Sequence, residues 1–372
     1  MNNFRYIAFA IALASCSSGK KSKEENNQPI EISYAIDTVM VDSQDEFLYL
    51  NWNLGISDVD AKSKLLYNLN PESLRLEVID LDKLELKKLV QLEKEGPNGV
   101  GGGFVIGLDK PSSEDLFLLD VSGIFQLAPD YSKIKKILFE GDKLQEQGLP
   151  VDATLDIDAV ISDEGDLIAS AYQEIGPKGK YLGLALLDVS SEELTLHPTD
   201  FLQYLKELEI YMVQDGLTRV SHPETFDMQF FNDKLLITTA ARNEVWIYDL
   251  ESDSLTNKTF ESKITSNVKP GNYETITESM ERFQEEVKKK SSEVLFNPLI
   301  HDAERKVFWR ITKDGKMTVL TVFDESLNML GEKLLDGKFS GSNTSFFLNG
   351  AIYQFLNVED ELAFVRLTPN LN

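Results

Sequence analysis

The sequence predicts an all-β fold: a six-bladed β-propeller of four-stranded antiparallel blades, with two short inserted helices. Three observations carry this expectation. A unit of strand, acidic turn and strand recurs along the chain. Two further short apolar runs precede the later units. A β-rich run near the N-terminus, 30–41, has no partner close in sequence.

From the N-terminus, residues 1–15 read as a targeting segment. Arg5 supplies a positive charge, and Tyr6 to Ala14 form an apolar run of nine residues. A membrane span needs about 20, whereas a signal peptide needs a core of this shorter length. Leu13-Ala14-Ser15-Cys16 resembles the lipobox of bacterial lipoproteins, in which the cysteine thiol takes the diacylglycerol. That resemblance implies lipidation at Cys16, the only cysteine of the chain, and rules out an internal disulfide. Residues 16–29 are polar and read as a flexible tether. Lys23-Glu24-Glu25 resembles the short signal that sends some Bacteroidota lipoproteins to the outer face. Ser17 after the cysteine implies transport to the outer membrane, with either its periplasmic or its cell-surface face open. Residues 30–372 then form one propeller domain.

The recurring units are 76–92, 123–139, 184–197, 245–260 and 319–335, and a sixth, 362–370, runs out at the C-terminus. Asp80, Asp130, Asp188, Asp249 and Asp324 mark the turns. Aspartate suits such turns because its carboxylate accepts hydrogen bonds from turn amides. Upstream lie paired runs such as 226–231 with 234–240, 294–300 with 305–311, and 344–348 with 351–356. Asn349-Gly350 between the last pair is a strong hairpin signal, since a type I′ turn needs positive φ at both positions. Four consecutive strands per unit make a propeller blade. The spacings between the aspartates, 50, 58, 61 and 75, exceed those of a WD40 array, and no Trp-Asp dipeptide occurs.

The sixth unit lacks its outer strand, and 30–41 can supply it, which removes an open sheet edge. Six blades is therefore the count, with five or seven as alternatives because 46–92 is the least regular. The pattern resembles the six-bladed propeller lipoproteins of Bacteroidota, including families of unknown function. Gly96-Pro97-Asn98-Gly99 is like the Gly-Pro-Gly loop those proteins carry between blades, with Asn98 as a departure.

The connections from one blade to the next are long, at 93–103, 140–153, 198–225, 261–293 and 336–343. Propeller topology sends them all to one face, and inserted loops on a rigid scaffold are where binding concentrates. Ile276, Met280, Phe283 and Val287 share a helical face, with Thr275 and Glu278 as a capping box. Phe201, Leu205 and Leu208 follow Asp200 as an N-cap. On the insertion-bearing face, Lys178, Arg219, His222 and Arg242 form a candidate basic rim for an anionic ligand. Asp156 and Asp158 alternate along an inner strand, so both could face the channel. There they suit Ca²⁺ or acid–base work. Trp52, Trp246 and Trp309 fall within strand runs and read as blade packing rather than sugar platforms.

No zinc spacing, serine-nucleophile motif, Walker loop or sialidase Asp box is present. The net charge of −25 repels phosphate backbones, so nucleic acid is excluded as a partner. The expected function is a membrane-anchored, non-catalytic binding module for a protein or small ligand, with no resident cofactor except Ca²⁺ as a candidate. The alternative is a secreted propeller hydrolase or lyase acting on glycans or lactones, with Asp158 near the axis.

Overall fold

A computed structural model describes residues 30–101, 105–176, 178–337, 339 and 344–372. The signal segment, the tether and Cys16 lie outside the described residues, as do Gly102 and Gly103 of the glycine-rich loop.

The chain is all-β. Strand β1 (Ile32–Met40) comes first, and β2 (Ser57–Asp60), β3 (Leu65–Asn70), β4 (Arg75–Asp80) and β5 (Glu85–Gln91) form the first sheet in chain order. The second sheet is β6 (Val105–Asp109), β7 (Leu116–Asp120), β8 (Gly123–Leu127) and β9 (Lys133–Leu138). A short helix, α1 (Asp142–Gln145), leads to the third: β10 (Ala153–Leu155) and β11 (Val160–Ile161) both pair with β12 (Leu167–Glu174), followed by β13 (Tyr181–Asp188) and β14 (Leu194–Pro198). After the hairpin β15 (Ile210–Gln214) and β16 (Leu217–His222), the fourth sheet is β17 (Phe226–Phe231), β18 (Lys234–Thr239), β19 (Glu244–Asp249) and β20 (Ser254–Thr259). Strand β21 (Ile276–Thr277) and helix α2 (Met280–Lys290) precede the fifth, β22 (Leu295–Asp302), β23 (Val307–Asp314), β24 (Met317–Asp324) and β25 (Met329–Leu334). The sixth is β26 (Phe346–Leu348), β27 (Ala351–Val358) and β28 (Glu361–Leu371), and β1 is its fourth strand.

Each marker aspartate caps its turn. Asp80 accepts from the amides of Asp82 and Lys83, Asp188 from Ser190 and Ser191, Asp249 from Ser252, Asp324 from Asn328, and Asp130 from Ser132, at 2.7–3.1 Å. Asn349 and Gly350 both have positive φ, at 50° and 81°, as the type I′ turn demands.

The core lies between sheets. Central strands are buried on both faces, so adjacent residues serve opposite neighbours. Leu235 packs toward the third sheet with Leu184, and Leu236 toward the fifth with Phe308. Phe117 joins the third sheet, and Leu118 the first. Trp309 packs with Ile352 and Leu367 of the sixth. Tyr353 and Phe364 of the sixth sheet pack with Leu66 and Ile79 of the first. The last sheet thus shares a core with the first, a propeller-like succession. Burial on both faces explains the near-continuous apolar runs of the sequence.

Strand β1 pairs antiparallel with β28 from Ile32 opposite Leu371 to Met40 opposite Ala363. Asp37 lies opposite Arg366, whose Nε donates to its Oδ1 at 2.9 Å. Ile32 is 1% exposed, within the core shared by the fifth and sixth sheets.

Four local expectations need correction. Helix α2 is capped by Ser279, whose hydroxyl accepts from the Arg282 amide at 3.3 Å, and not by Thr275 with Glu278. Thr275 and Ile276 instead extend beside β15, where the Tyr211 amide donates to the Thr275 carbonyl. Residues Gln203–Leu208 form a 3₁₀ helix with no side-chain cap, and Asp200 contributes its backbone carbonyl rather than its carboxylate. Asp156 and Asp158 do not alternate along a strand, because the chain breaks between β10 and β11. Trp52 is not in a strand at all; it lies in a left-handed turn, Asn51–Leu54, and is 62% exposed.

A chain beginning at residue 42 would leave the β28 edge open and Ile32's pocket empty. Burial of Ile32 contributes about 2 kcal/mol, and the pairing along β1 adds roughly 0.5–1.5 kcal/mol per hydrogen bond. We expect this truncated chain to lose its cooperative thermal melt and to aggregate on gel filtration.

Candidate functional site

The first strands of neighbouring sheets touch, and they are rich in aspartate. Two of these carboxylates have a structural task. Asp58 on β2 accepts from the Lys110 amide of the second sheet at 2.7 Å. Asp109 on β6 accepts from the Ile161 amide of the third at 3.0 Å. Each therefore stitches its strand to the next. Burial pushes Asp58 up to about 6 and, with the charge of Asp58 beside it, holds Asp109 well above the usual carboxylate range. Asp60, Lys62, Lys110 and Asp163 join them around a cleft of about 260 Å³ at the turns that follow the first strands.

A second group lies where the third and fourth sheets meet. Asp156 is buried; its Oδ1 accepts from the Asp158 amide at 3.1 Å and its Oδ2 from Gln173 Nε2 at 2.8 Å. Lys206 Nζ reaches Gln173 Oε1 at 3.1 Å and lies 4.5 Å from the centre of the Tyr181 ring. Asp158 keeps exposed surface although protein crowds it, as on the rim of a concavity. Enclosure pushes it up to about 6, and the charge of Asp156 adds to this. Asp227 on β17 is half-buried, and enclosure followed by the charge of Asp158 pushes it up to about 7. A pair with raised values can hold a proton near neutrality. Among the described residues, no group of three or more His, Cys, Asp or Glu side chains could hold a metal ion.

The two long insertions merge into one unit. Strand β15, from the connection 199–225, pairs parallel with β21, from the connection 260–294. Helix α2 packs on β15, and Ile210, Met212 and Phe283 form a small core of their own. Phe201, Leu202 and Leu205 of the first insertion also pack into the core of the third and fourth sheets, and a buried ion cluster ties the two insertions together. Glu224 is ion-paired with Lys269 at 2.6 Å and with Lys290 at 3.1 Å, and all three side chains are buried. Lys290 Nζ also donates to the carbonyls of Leu208, His222 and Pro223 at 2.9–3.2 Å. The cluster thus fixes the helix, the hairpin and the 3₁₀ turn to one another.

The expected basic rim is not a cluster of free cations. Arg242 lies 3.6 Å over the Tyr204 ring, and Lys178 lies 5.0 Å from the Tyr211 ring centre. Both stack on the inserted connection and help to seat it. Arg219 and His222 are on β16 rather than in a loop before β17; Arg219 is exposed at a bulge, where it blunts the edge of the hairpin. His222 is half-buried, and burial, then Lys290, depresses its basicity. Asn98 belongs to another connection, where its Nδ2 donates to Glu93 Oε1 at 3.4 Å within its own loop. Sequence reasoning missed the β15–β16 hairpin and the Glu224 cluster. The hairpin was visible as Asp215-Gly216 between two strand-like runs, but nothing in the sequence pairs Glu224 with Lys269 and Lys290.

Residues 29–334 match the family described as a domain of unknown function, DUF4221. Among curated proteins, none matches the sequence. A crystal structure of a DUF4221 member from Bacteroides vulgatus is similar with a TM-score of 0.64 and 15% identity, over 93% of this chain and 100% of that one. A Bacteroides fragilis protein inferred to be exported gives 0.51 and 9%, over 93% and 96%. Identities this low show the fold alone.

The raised Asp227 carboxyl favours protonation in the folded state, so its ionisation destabilises the fold. Stability should therefore fall as pH rises from about 4, the unfolded value, toward 7. Asp227→Asn removes that slope. In urea melts we expect the variant to come closest to the wild type near pH 4 and to exceed it at pH 8 by on the order of 1 kcal/mol, an effect kept small by water at this half-exposed site.

Proposed function

Since the chain belongs to the DUF4221 family, whose description assigns no activity, we propose its function from its own geometry: a non-catalytic binding module, lipid-anchored through Cys16, that engages a protein or small ligand with its insertion-bearing face. In this reading the six sheets are six blades of one propeller, and β1 is the outer strand of the last. The apolar cluster that joins the sixth sheet to the first supports that count. The observation that carries the binding reading is the buried Glu224–Lys269–Lys290 cluster. Breaking a buried ion pair costs about 3–5 kcal/mol, so the two insertions form a rigid platform rather than mobile loops, and preorganised surfaces bind with less lost entropy. One fold neighbour is inferred to be exported, which accords with an outer-membrane location, periplasmic or at the cell surface.

The raised Asp158–Asp227 pair supports a second reading, a hydrolase or lyase acting on glycans or lactones.

A photo-crosslinking residue at Leu217, on the exposed hairpin, should give a discrete adduct in intact cells, while one at Lys62, among the turns after the first strands, should give none. Adducts from both positions, or only from Lys62, would contradict the assignment of the face. Cys16→Ala should move the protein from the membrane to the soluble fraction. Unchanged partition with lipid would overturn the anchor.

A further inference from the structure

The connection from β1 into the first sheet, 41–56, holds the most unusual backbone of the described chain. Trp52, Asn53 and Leu54 have φ of 56°, 52° and 59°, three consecutive left-handed residues without a glycine among them. Such conformations are ordinarily visited singly, and they persist only where the surroundings over-determine them. Here the surroundings do so. Glu77, fully buried on β4, accepts from the Tyr49 amide through both oxygens at 3.0 and 3.1 Å. Asn68 Nδ2 donates to Glu77 and to the Tyr49 carbonyl, both at 2.8 Å. Arg75 donates to the Phe47 carbonyl, Thr344 Oγ1 donates to the Asn53 carbonyl at 3.2 Å, and Leu54 is buried.

This rigid support holds aromatic rings out to solvent. Phe47 is 91% exposed, and the Trp52 indole stands with the Tyr49 ring set edge-on at 6.3 Å. Asn51 and Asn53 flank it, both exposed. Among the described residues, neither carboxamide nor the indole Nε1 makes a hydrogen bond. The expectation that Trp52 packs within a blade rested on a strand that is not there. The loop carries no basic residue, but it carries Asp42, Asp45 and Glu46.

We propose that Trp52, flanked by Asn51 and Asn53, is a stacking platform for a neutral saccharide. An indole face offers a flat apolar surface with a polar edge, which suits the C–H face of a pyranose ring. Carboxamides both donate and accept, as neighbouring sugar hydroxyls require. Glu46 is paired with Arg75 at 3.7 Å and Asp42 accepts from the Gln44 amide at 2.9 Å, which leaves the loop net negative; that charge repels anionic ligands and anionic bilayers and so favours a neutral polyol. A platform already fixed by its own backbone loses little freedom on binding. The proposal rests on the reading of the protein as a binding module and names a ligand class for it.

The test is native electrophoresis of the mature chain through gels containing an α-glucan, a mannan or a xylan. At least one should retard the wild type. Trp52→Ala should weaken that retardation at least tenfold, and Trp52→Phe should fall between. The retarding polysaccharide should also shield tryptophan fluorescence from acrylamide in the wild type. Trp309 is fully buried and Trp246 half-buried, so this signal reports Trp52. Wild type that runs unretarded in all three gels overturns the proposal, as does equal retardation of Trp52→Ala. A dimer lost on Trp52→Ala, with no retardation, would give the surface to a second copy and also overturn it. Adducts from Leu217 that persist in either case would leave the binding-module reading standing, so the two failures can be told apart.

Discussion

Five of the six main sheets are completed by the chain as it runs from first strand to last. The sixth is completed from the other end of the molecule, by residues 32–40 lying along 363–371. That long-range pairing is the constraint on which the rest depends. It covers the edge of β28, places Ile32 in the core between the fifth and sixth sheets, and brings the chain to where it enters the first sheet. Until it forms, the sixth sheet has an open edge, and the contact between the last and first sheets must be made without covalent help. A contact of such sequence separation also forms late and at high entropic cost.

Much of this was legible in the residues, because the signals were local or periodic. The turn aspartates are recognisable since only a few side chains satisfy turn amides, and Asn349-Gly350 is recognisable since few residues tolerate positive φ. The run 30–41 was legible as the missing strand because a four-strand repeat that ends on three leaves one place unfilled. What escaped was determined by distant partners. Thr275 looked like a helix cap until β15 offered it a strand to join. Trp52 read as part of a strand run. Its left-handed turn is imposed by Glu77, Asn68 and Arg75, and no local pattern announces that arrangement.

The candidate site shows the same division. The sequence placed its two longest insertions after the last strands of the third and fourth sheets, and they lie between β14 and β17 and between β20 and β22. It could not foresee that insertions from two different connections share a sheet through β15 and β21, nor that Glu224 joins them with two lysines. The scattered basic residues looked available in the sequence, whereas Arg242 and Lys178 are stacked on tyrosines of the inserted connection. The carboxylates near the first strands also divide by role: Asp58 and Asp109 are engaged with backbone amides of the next sheet, while Asp158 and Asp227 keep raised values beside accessible surface.

The most direct measurement of the closure is native-state hydrogen exchange of the amides of β1. If this strand is an integral part of the sixth sheet, its amides exchange only with the slow global opening that releases those of β28. Rapid exchange of residues 32–40, with β27 and β28 still protected, would contradict the account.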